Sequence, residues 1–463
     1  MNTDALMVDL YQIATLFAHE KIDPSRMNQR VQMSFFSRKI PNNRNYIMFV
    51  GLRSILEHMS QFSHGTISEM IWELSKHPMI GPVLAKHADV FANLNFSDYN
   101  LMSMREGTIV YAAPGLREDG TPFMVNDHQV TVYEPYMQAE SSFILSKLIE
   151  TPWLSYINYE SMVASKAARV VSAANGKPVL EFGQRRTHPK AAIDASYAAY
   201  IAGCAGTSNV AAFIKYDIPA IGTMDHFAVM ASEQGDKNEA EQSFFNGFAQ
   251  VFPNDATLLI DTYNSEQGIK NAIAATNGKL KAIRIDSNVS LATIRLARKL
   301  LDSNNCSHVK IFVSDGLNEK KVQELAKDAD GFGVGENITC SPDSATGVGA
   351  VGKLTVNGYG KKTIKVSQGS GKMTLPGPVQ IFRTKERDMV CLLGEHFEGD
   401  ELLNFMDISP GQLPSLEETR EFAKSQLDAL PKEFKNVDGN FYTRKIVVSD
   451  KFAELTTKLV NEN

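Results

Sequence analysis

The sequence has few cysteines, and they are far apart. Its 463 residues include only four, at Cys204, Cys306, Cys340 and Cys391, and no two of these form a Cys-x-x-Cys pair. A zinc site or a small disulfide-bonded domain would need cysteines in closer, paired spacing. We therefore expect buried free thiols in a protein of the reducing cytoplasm.

The chain also lacks an excess of basic charge and a long hydrophobic run. It has 47 basic and 53 acidic residues and a net charge of -6, so its composition does not favour binding to nucleic acid. No apolar stretch approaches the roughly 20 residues of a membrane span. The first ten residues contain two aspartates and no basic residue, which predicts no signal peptide. We expect neither nucleic acid nor membrane as a partner.

The middle of the chain contains short apolar runs, several of them separated by amphipathic segments. Such an alternation of strands and helices predicts parallel strands. The strands would form a barrel with an active site at their carboxyl ends or, as the alternative, an open doubly wound sheet. The predicted strands are residues 179–182, 220–223, 258–261, 282–286, 310–314 and 331–335, and the predicted helices are residues 191–202, 265–277, 291–303 and 319–328.

The flanking parts of the chain mix helical and β-rich patterns, and the length predicts two or three domains. We predict an α/β protein: an irregular parallel α/β barrel, a second α+β sandwich domain built from N-terminal and post-barrel segments, and a helical C-terminal region. The predicted domains are residues 1–140, with helices and a sheet, residues 141–345, the catalytic barrel, and residues 346–463, with strands that return to the first domain and C-terminal helices.

Two adjacent arginines follow a predicted strand in the segment Glu181-Phe182-Gly183-Gln184-Arg185-Arg186. Guanidinium groups match the oxygens of phosphate or carboxylate, and Phe182 can offer a flat face to an aromatic ring. The alternative is a surface arginine pair beside a core phenylalanine. Two further motifs follow, Gly206-Thr207-Ser208-Asn209-Val210 and Ile218-Pro219-Ala220-Ile221-Gly222-Thr223-Met224-Asp225-His226.

Together these three segments resemble the signature of the nicotinate phosphoribosyltransferase family. Similar motifs occur in the same order across nearly the whole chain, including Asp9-Leu10-Tyr11-Gln12, Ile260-Asp261-Thr262-Tyr263 and Lys372-Met373-Thr374-Leu375-Pro376-Gly377. The resemblance implies an enzyme of NAD biosynthesis that converts nicotinate and phosphoribosyl pyrophosphate to nicotinate mononucleotide and pyrophosphate. It also implies ATP as co-substrate, Mg²⁺ as cofactor and a homodimer with shared active sites.

The resemblance assigns roles to single residues. His226 would accept a phosphate from ATP, which suits a nucleophilic imidazole; the alternative is a core or capping histidine. Phe182 and Tyr11 would enclose the pyridine ring, with Tyr11 coming from the neighbouring subunit, unless Tyr11 merely packs on its own helix. Ser208, a neutral residue, would avoid repelling the carboxylate of nicotinate, although it can equally be a helix cap.

The remaining candidates would hold the phosphoribosyl group. Arg185 and Arg284 would bind phosphate, or the carboxylate of nicotinate in the case of Arg284. Asp286 would accept hydrogen bonds from ribose hydroxyls or hold magnesium, and Asp261 is a second acidic candidate. The other members of the predicted substrate site are Thr223, Gly316 and Gly335, where the glycines can bring backbone N–H groups to a phosphate.

The chain departs from the family pattern at a few positions. Asn288 and Val289 stand where the family usually has Gly and Asp, and we expect Asn288 to preserve the turn because asparagine tolerates a left-handed backbone. Glu336 stands where Thr is usual, and a carboxylate there must point away from a phosphate or meet a cation. These changes leave two alternatives: a nicotinamide phosphoribosyltransferase-like enzyme, or a catalytically weak nucleotide-binding homologue with a regulatory role.

Overall fold

The computed structural model describes residues 7–61, 64–344, 347–366, 372–409, 412–438 and 442–462. The chain divides into two compact units. The first unit comprises Met1–Met162, Thr346–Ala429 and Phe441–Asn463, and the second comprises Val163–Ala345 and Leu430–Asn440. The first unit is therefore assembled from chain segments that precede and follow the main part of the second unit in sequence.

The second unit contains a six-stranded sheet in which every ladder is parallel. Its outermost strands do not pair with each other among the described residues, so the sheet is a half-barrel. The prediction of a parallel α/β architecture is confirmed, whereas the ladder does not close into a full barrel. The strand order is Gly206–Thr207, Val179–Glu181, Gly331–Val334, Lys310–Val313, Ala282–Ile285 and Thr257–Leu259.

Side-chain caps define where several helices of the second unit begin. Asn264 Oδ1 accepts a hydrogen bond from Gln267 N at 3.0 Å, and Ser290 Oγ accepts one from Thr293 N at 3.2 Å. Such caps satisfy N–H groups that the first helical turn leaves without partners. The helices are Pro189–Ile201, Val210–Tyr216, His226–Ala231, Lys237–Val251, Ser265–Thr276, Leu291–Ser303, Glu319–Leu325 and Glu336–Thr339, and the 3₁₀ turns are Gln184–Arg186, Pro342–Ser344 and Lys432–Lys435.

The strand predicted at residues 220–223 is not formed. Ala220 makes a single parallel bridge with Thr207, and Pro219, which precedes it, has no N–H to donate to a ladder. The two-residue strand Gly206–Thr207 was not predicted, because two residues show no periodic pattern. The edge of the sheet is therefore formed by two short, irregular segments.

The first unit is built around two mainly antiparallel sheets. The post-barrel strand Ala350–Val356 pairs with the N-terminal strand Arg30–Ser37, so segments more than 300 residues apart share one sheet. The five-stranded sheet has the order Ala350–Val356, Arg30–Ser37, Met137–Ser142, Tyr99–Ser103 and Asn404–Phe405, and the four-stranded sheet has the order Asp400–Glu401, Val379–Arg383, Asp388–Leu392 and Ile446–Val448. Short two-stranded pairs are Ile47–Met48 with Ile109–Val110, Ala112–Pro114 with Thr131–Tyr133, and Met124–Val125 with His128–Gln129.

Trp153 is one of the largest buried side chains of the first unit. Its side chain is fully buried, and its ring centroid lies 5.2 Å from that of Phe35 and 5.5 Å from that of Tyr99. Trp153 belongs to the long helix Phe143–Ala173, so aromatic packing joins this helix to the five-stranded sheet. The other helices of this unit are Leu10–Ile22, Leu52–Ser60, His64–Leu74, Gly81–Leu84, Ala88–Ala92, Leu416–Ala429 and Asp450–Asn461, with the 3₁₀ turn Pro24–Asn28.

The four cysteines are all free thiols. Three are buried as expected, but Cys340 is partly exposed, so the expectation of burial is wrong for that residue. It follows the four-residue helix Glu336–Thr339, and its thiol contacts the carbonyl of Arg186 on an exposed turn. In the part of the chain that the structure describes, none of the helices combines the length and the apolar composition that crossing a membrane requires.

Candidate functional site

A cavity of about 300 Å³ lies in the second unit among the strands of the parallel sheet. Its lining includes Phe182, Thr223, Arg284, Ser314 and Gly333. An aromatic ring, a guanidinium group and hydroxyls thus face one small space. Such a mixture of apolar walls and a few polar groups is typical of sites for small molecules.

The position of Phe182 is set by the strand that it follows. It directly follows Val179–Glu181, and its N–H donates to the carbonyl of Val334 at 2.9 Å. The ring lies against Gly333, where a Cβ atom would come within 2.4 Å of ring atom Cδ2. Any side chain at position 333 would displace the ring, so this glycine leaves the space that Phe182 occupies.

His226 and two aspartates meet beside this cavity. His226 Nε2 lies 3.8 Å from Asp286 Oδ2 and 4.0 Å from Asp261 Oδ1. Its other ring nitrogen, Nδ1, lies 3.1 Å from the hydroxyl of Thr262. In the tautomer that carries its proton on Nε2, towards the carboxylates, Nδ1 accepts a hydrogen bond from the hydroxyl of Thr262. The imidazole side chain is 36% exposed, which leaves room for a second reactant to approach.

The two aspartates support each other through the backbone. Asp261 Oδ2 accepts a hydrogen bond from the N–H of Asp286 at 2.8 Å, and the hydroxyl of Ser314 donates to Asp286 Oδ1. Asp261 Oδ1 is buried and has no hydrogen-bond partner in the structure. A buried carboxylate oxygen without a donor is costly, so this atom is suited to a ligand that brings a donor or a cation.

Arg284 joins this cluster to the loop that precedes His226. Its Nη1 donates to the hydroxyl of Thr223 at 2.8 Å, and its Nη2 lies 3.9 Å from Asp286 Oδ2. Burial lowers the pKa of Arg284, against the opposing attraction of Asp286 and Asp261. Its Nε is buried without a hydrogen-bond partner in the structure. The guanidinium therefore keeps one donor available for an anionic ligand.

Arg185 and Ser208 lie on neighbouring turns. Arg185 is exposed on the 3₁₀ turn Gln184–Arg186 and is close enough to Arg284 to contribute to lowering its pKa, after burial. Ser208 is half-buried, and its N–H donates to the carbonyl of Glu181 at 3.0 Å. The helix Val210–Tyr216 is capped by the side chain of Asn209, so the alternative in which Ser208 is the cap is wrong.

Gly316, Gly335, Asn288 and Glu336 all lie just after parallel strands. Gly316 has a φ of 56°, which favours glycine, and Gly335 precedes the helix Glu336–Thr339. Asn288 has a φ of 50°, so the expected left-handed turn is confirmed. Glu336 Oε2 lies 3.6 Å from Arg186 Nε, and the carboxylate thus meets a cation, which reduces its repulsion of a phosphate.

Tyr11 is in the first unit, on the helix Leu10–Ile22. Its side chain is exposed, its hydroxyl accepts a hydrogen bond from Gln12 Nε2 at 2.8 Å, and Lys147 Nζ lies 5.5 Å from its ring centroid. An exposed aromatic ring is available for a contact with another molecule. Its predicted role in the site of a neighbouring subunit stays a prediction.

Sequence reasoning missed three side chains that contact the predicted site residues. Thr262 contacts His226, Ser314 contacts Asp286, and Glu181 binds the turns on which Phe182 and Ser208 lie. All three stand at or just after the carboxyl end of a parallel strand. A polar residue at that position was the signal that would have found them.

Comparison with protein families identifies relatives of this chain. Residues 178–401 match the model described as the Nicotinate phosphoribosyltransferase (NAPRTase) family. The nicotinate phosphoribosyltransferase pncB2 of Mycobacterium tuberculosis is 32% identical over 468 residues, which cover 97% of this chain and 92% of the relative. The nicotinate phosphoribosyltransferase of Bacillus subtilis is 29% identical over 413 residues, covering 86% and 75% of the two chains.

Two solved structures share the fold. Human nicotinic acid phosphoribosyltransferase has a TM-score of 0.76 and 22% identity, with 98% of this chain and 99% of the human chain covered. Nicotinate-nucleotide pyrophosphorylase from Pyrococcus furiosus has a TM-score of 0.67 and 24% identity, with 93% and 97% covered. At these identities the likeness concerns the fold alone.

Proposed function

The chain belongs to the nicotinate phosphoribosyltransferase family, and on that premise we propose that it converts nicotinate and phosphoribosyl pyrophosphate to nicotinate mononucleotide and pyrophosphate. The product would enter NAD biosynthesis. The observation that carries this proposal is the convergence of Phe182, Arg284, Asp286, Asp261 and His226 at the carboxyl ends of parallel strands.

The cavity beside Phe182 is the proposed site of the pyridine ring. The phenyl ring supplies a stacking surface, and the unpartnered Nε of Arg284 supplies a donor for the carboxylate of nicotinate or for a phosphate. Ser208 places no negative charge on the adjacent turn, so this turn does not repel the carboxylate of nicotinate as an acidic residue would. The alternative preference for nicotinamide has no comparable support in these contacts.

The proposed reaction breaks the bond from ribose C1 to pyrophosphate and forms a bond from C1 to the pyridine nitrogen. The transition state has oxocarbenium character, so catalysis consists mainly of orientation and charge stabilisation. Asp286 would accept a hydrogen bond from a ribose hydroxyl, and Arg185 and Arg284 would hold phosphate oxygens. Gly316 and Gly335 would present backbone N–H groups to the 5-phosphate.

His226 is the proposed acceptor of the ATP γ-phosphate. In the tautomer with the proton on Nε2, which faces the two aspartates, the lone pair on Nδ1 would be the nucleophile once the hydroxyl of Thr262 turns its proton away. Nδ1 would form a bond to the γ-phosphorus, the bond to the ADP oxygen would break, and ADP would leave. The carboxylates of Asp261 and Asp286 would stabilise the positive charge that develops on the ring. Hydrolysis of the phosphohistidine would then drive synthesis of the mononucleotide.

The residues present are compatible with Mg²⁺. Within the described residues no group of three or more His, Cys, Asp or Glu side chains is arranged to hold a metal ion. Magnesium commonly takes only one or two protein carboxylates, with phosphate and water oxygens as its other ligands. Asp286, together with the unpartnered Oδ1 of Asp261, provides that donor set. When bound, the ion would neutralise charge on the pyrophosphate leaving group.

The catalytically weak homologue remains the second candidate function. Val289 cannot supply the carboxylate that the family usually has at its position, and this is the observation that favours it. Glu336, by contrast, pairs with Arg186 and no longer argues for a damaged phosphate site. Homodimerisation and a cytoplasmic location stay predictions.

The test of the proposed function is product analysis. Purified protein would be incubated with phosphoribosyl pyrophosphate and either nicotinate or nicotinamide, with and without ATP, and the products separated by chromatography. We expect equal amounts of nicotinate mononucleotide and pyrophosphate, and little nicotinamide mononucleotide. Formation of neither mononucleotide would favour the regulatory homologue, and nicotinamide mononucleotide as main product would favour the other alternative.

Replacing Ser208 with aspartate should shift the substrate preference. The new carboxylate would repel nicotinate and can accept a hydrogen bond from the amide of nicotinamide. We expect the ratio of kcat/KM for nicotinate to that for nicotinamide to fall about tenfold or more. Ser307→Asp, which adds the same charge at an exposed turn, is the matched control and should leave the ratio unchanged. An unchanged ratio in Ser208→Asp would remove Ser208 from the specificity argument.

A further inference from the structure

Glu181 is a buried carboxylate at the end of a strand, with no part in the chemistry proposed above. It is 1% exposed and is absent from the lining of the cavity. Its Oε1 accepts a hydrogen bond from the N–H of Gly183. Its Oε2 accepts hydrogen bonds from the hydroxyls of Ser196 at 2.9 Å and Thr207 at 2.6 Å. Both oxygens therefore have donors, and these donors come from three different segments.

Two of these segments carry residues of the proposed pyridine site. Gly183 follows Phe182, whose ring lines the cavity, and Thr207 precedes Ser208. The hydroxyl of Thr207 also accepts a hydrogen bond from the N–H of Asn209 at 3.0 Å. The carboxylate of Glu181 therefore holds Thr207, which precedes Ser208, and through its hydroxyl also Asn209, which follows it. The carbonyl of Glu181 accepts the N–H of Ser208 itself at 3.0 Å.

We infer that Glu181 is a positioning residue of the pyridine site, whose carboxylate holds the turn of Phe182 and the turn of Ser208 in fixed relation to each other. This inference rests on the proposed function. Phe182 supplies the stacking surface, and Ser208 is the proposed neutral residue on the neighbouring turn, so we expect recognition of the pyridine carboxylate to depend on the relative position of the two turns. Small displacements of such groups have large effects on binding and turnover.

The electrostatics of Glu181 fit this role. Burial raises its pKa, and the donors from Thr207, Gly183 and Ser196 oppose that rise. Removing one of these donors leaves a buried oxygen of Glu181 with one hydrogen bond fewer. The cost in free energy is larger in this buried place than it would be at the surface. The carboxylate has four lone-pair positions for its donors. Glutamine has a single acceptor oxygen and would direct an NH₂ group towards either the Gly183 N–H or the two hydroxyls.

The test compares four variants by steady-state kinetics with each pyridine. Glu181→Gln removes the bridge between the two turns, and Thr207→Val removes one end of it at constant shape. Thr207→Ser keeps the hydroxyl and is the rescue. Glu241→Gln is the matched control for burial, because Glu241 is equally buried in the same unit and accepts its hydrogen bond from the amide of Asn271 at 2.8 Å rather than from either turn.

We expect Glu181→Gln and Thr207→Val to raise KM for nicotinate about tenfold and to lower the selectivity for nicotinate over nicotinamide. KM for phosphoribosyl pyrophosphate should change less than about threefold, and Thr207→Ser should resemble the wild type. Glu241→Gln should lower the thermal midpoint without changing selectivity. If Glu181→Gln fails to fold, the Thr207 pair decides alone.

The inference would be overturned if Glu181→Gln and Thr207→Val lowered the thermal midpoint as Glu241→Gln does and left KM for nicotinate and selectivity unchanged. A wild-type protein that forms no nicotinate mononucleotide would overturn the proposed function, and this inference with it. An active wild type with unaffected variants would overturn the inference alone. The two failures are therefore distinguishable.

Discussion

Replacing His226 with alanine should remove the stimulation of nicotinate mononucleotide synthesis by ATP. Without an imidazole no phosphohistidine can form, so ATP hydrolysis has no route to drive the reaction. Phe182, Arg284 and Asp286 remain in this variant, and we expect slow ATP-independent synthesis to persist. The ratio of the rate with ATP to the rate without ATP should fall to about one, measured as mononucleotide formed per minute.

The matched control for this variant is His308→Ala, because His308 is exposed in the same unit and contacts none of the site residues described above. It should keep the full stimulation by ATP. Thr262→Val should give an intermediate result, since it removes the hydroxyl beside Nδ1 but leaves the ring. Equal stimulation by ATP in His226→Ala and wild type would contradict the phosphohistidine role.

Replacing Arg284 with alanine should lower kcat/KM for nicotinate by about 100-fold to 1,000-fold, the loss typical of removing a charged group that binds in the transition state. Arg284 contacts Thr223 and faces Asp286, and its Nε is a buried donor without a hydrogen-bond partner in the structure. Its removal also leaves two aspartates without a neighbouring cation, which weakens binding of every anionic reactant. Initial-rate kinetics with both substrates varied would measure the loss.

Arg284→Lys separates charge from geometry at this position, and Arg295→Ala is a control elsewhere in the unit. Arg284→Lys keeps a positive charge but loses the planar fork, so we expect it to recover only part of the lost activity. Arg295→Ala removes an arginine that pairs with Asp328 at the surface of the same unit. Surface ion pairs contribute little to stability, so we expect this control to keep its activity. Full activity in Arg284→Ala would remove Arg284 from the site.

The sequence was sufficient to place the two aspartates because each follows a recognisable apolar strand. Asp261 comes directly after the residues around Thr257–Leu259, and Asp286 directly follows Ala282–Ile285. Carboxyl ends of parallel strands meet at one edge of a sheet, and the structure brings both residues within reach of His226. Periodicity predicted the strands, whereas the resemblance to the family singled out these residues.

Other features depend on contacts that no local pattern records. The segment 220–223 has a strand-like composition, yet Pro219 and the two-residue strand Gly206–Thr207 limit it to one bridge. The role of Glu181 is set by donors from Ser196 and Thr207, 15 and 26 positions away. The helix cap at Asn209, rather than Ser208, is decided by a shift of one residue in the turn.

The most direct test of the account is a crystal structure of the protein with nicotinate mononucleotide bound. We predict that the pyridine ring stacks on Phe182, that Arg284 contacts the carboxylate or a phosphate oxygen, and that a ribose hydroxyl donates to Asp286. A mononucleotide bound elsewhere on the second unit, with the cavity beside Phe182 empty, would contradict the account.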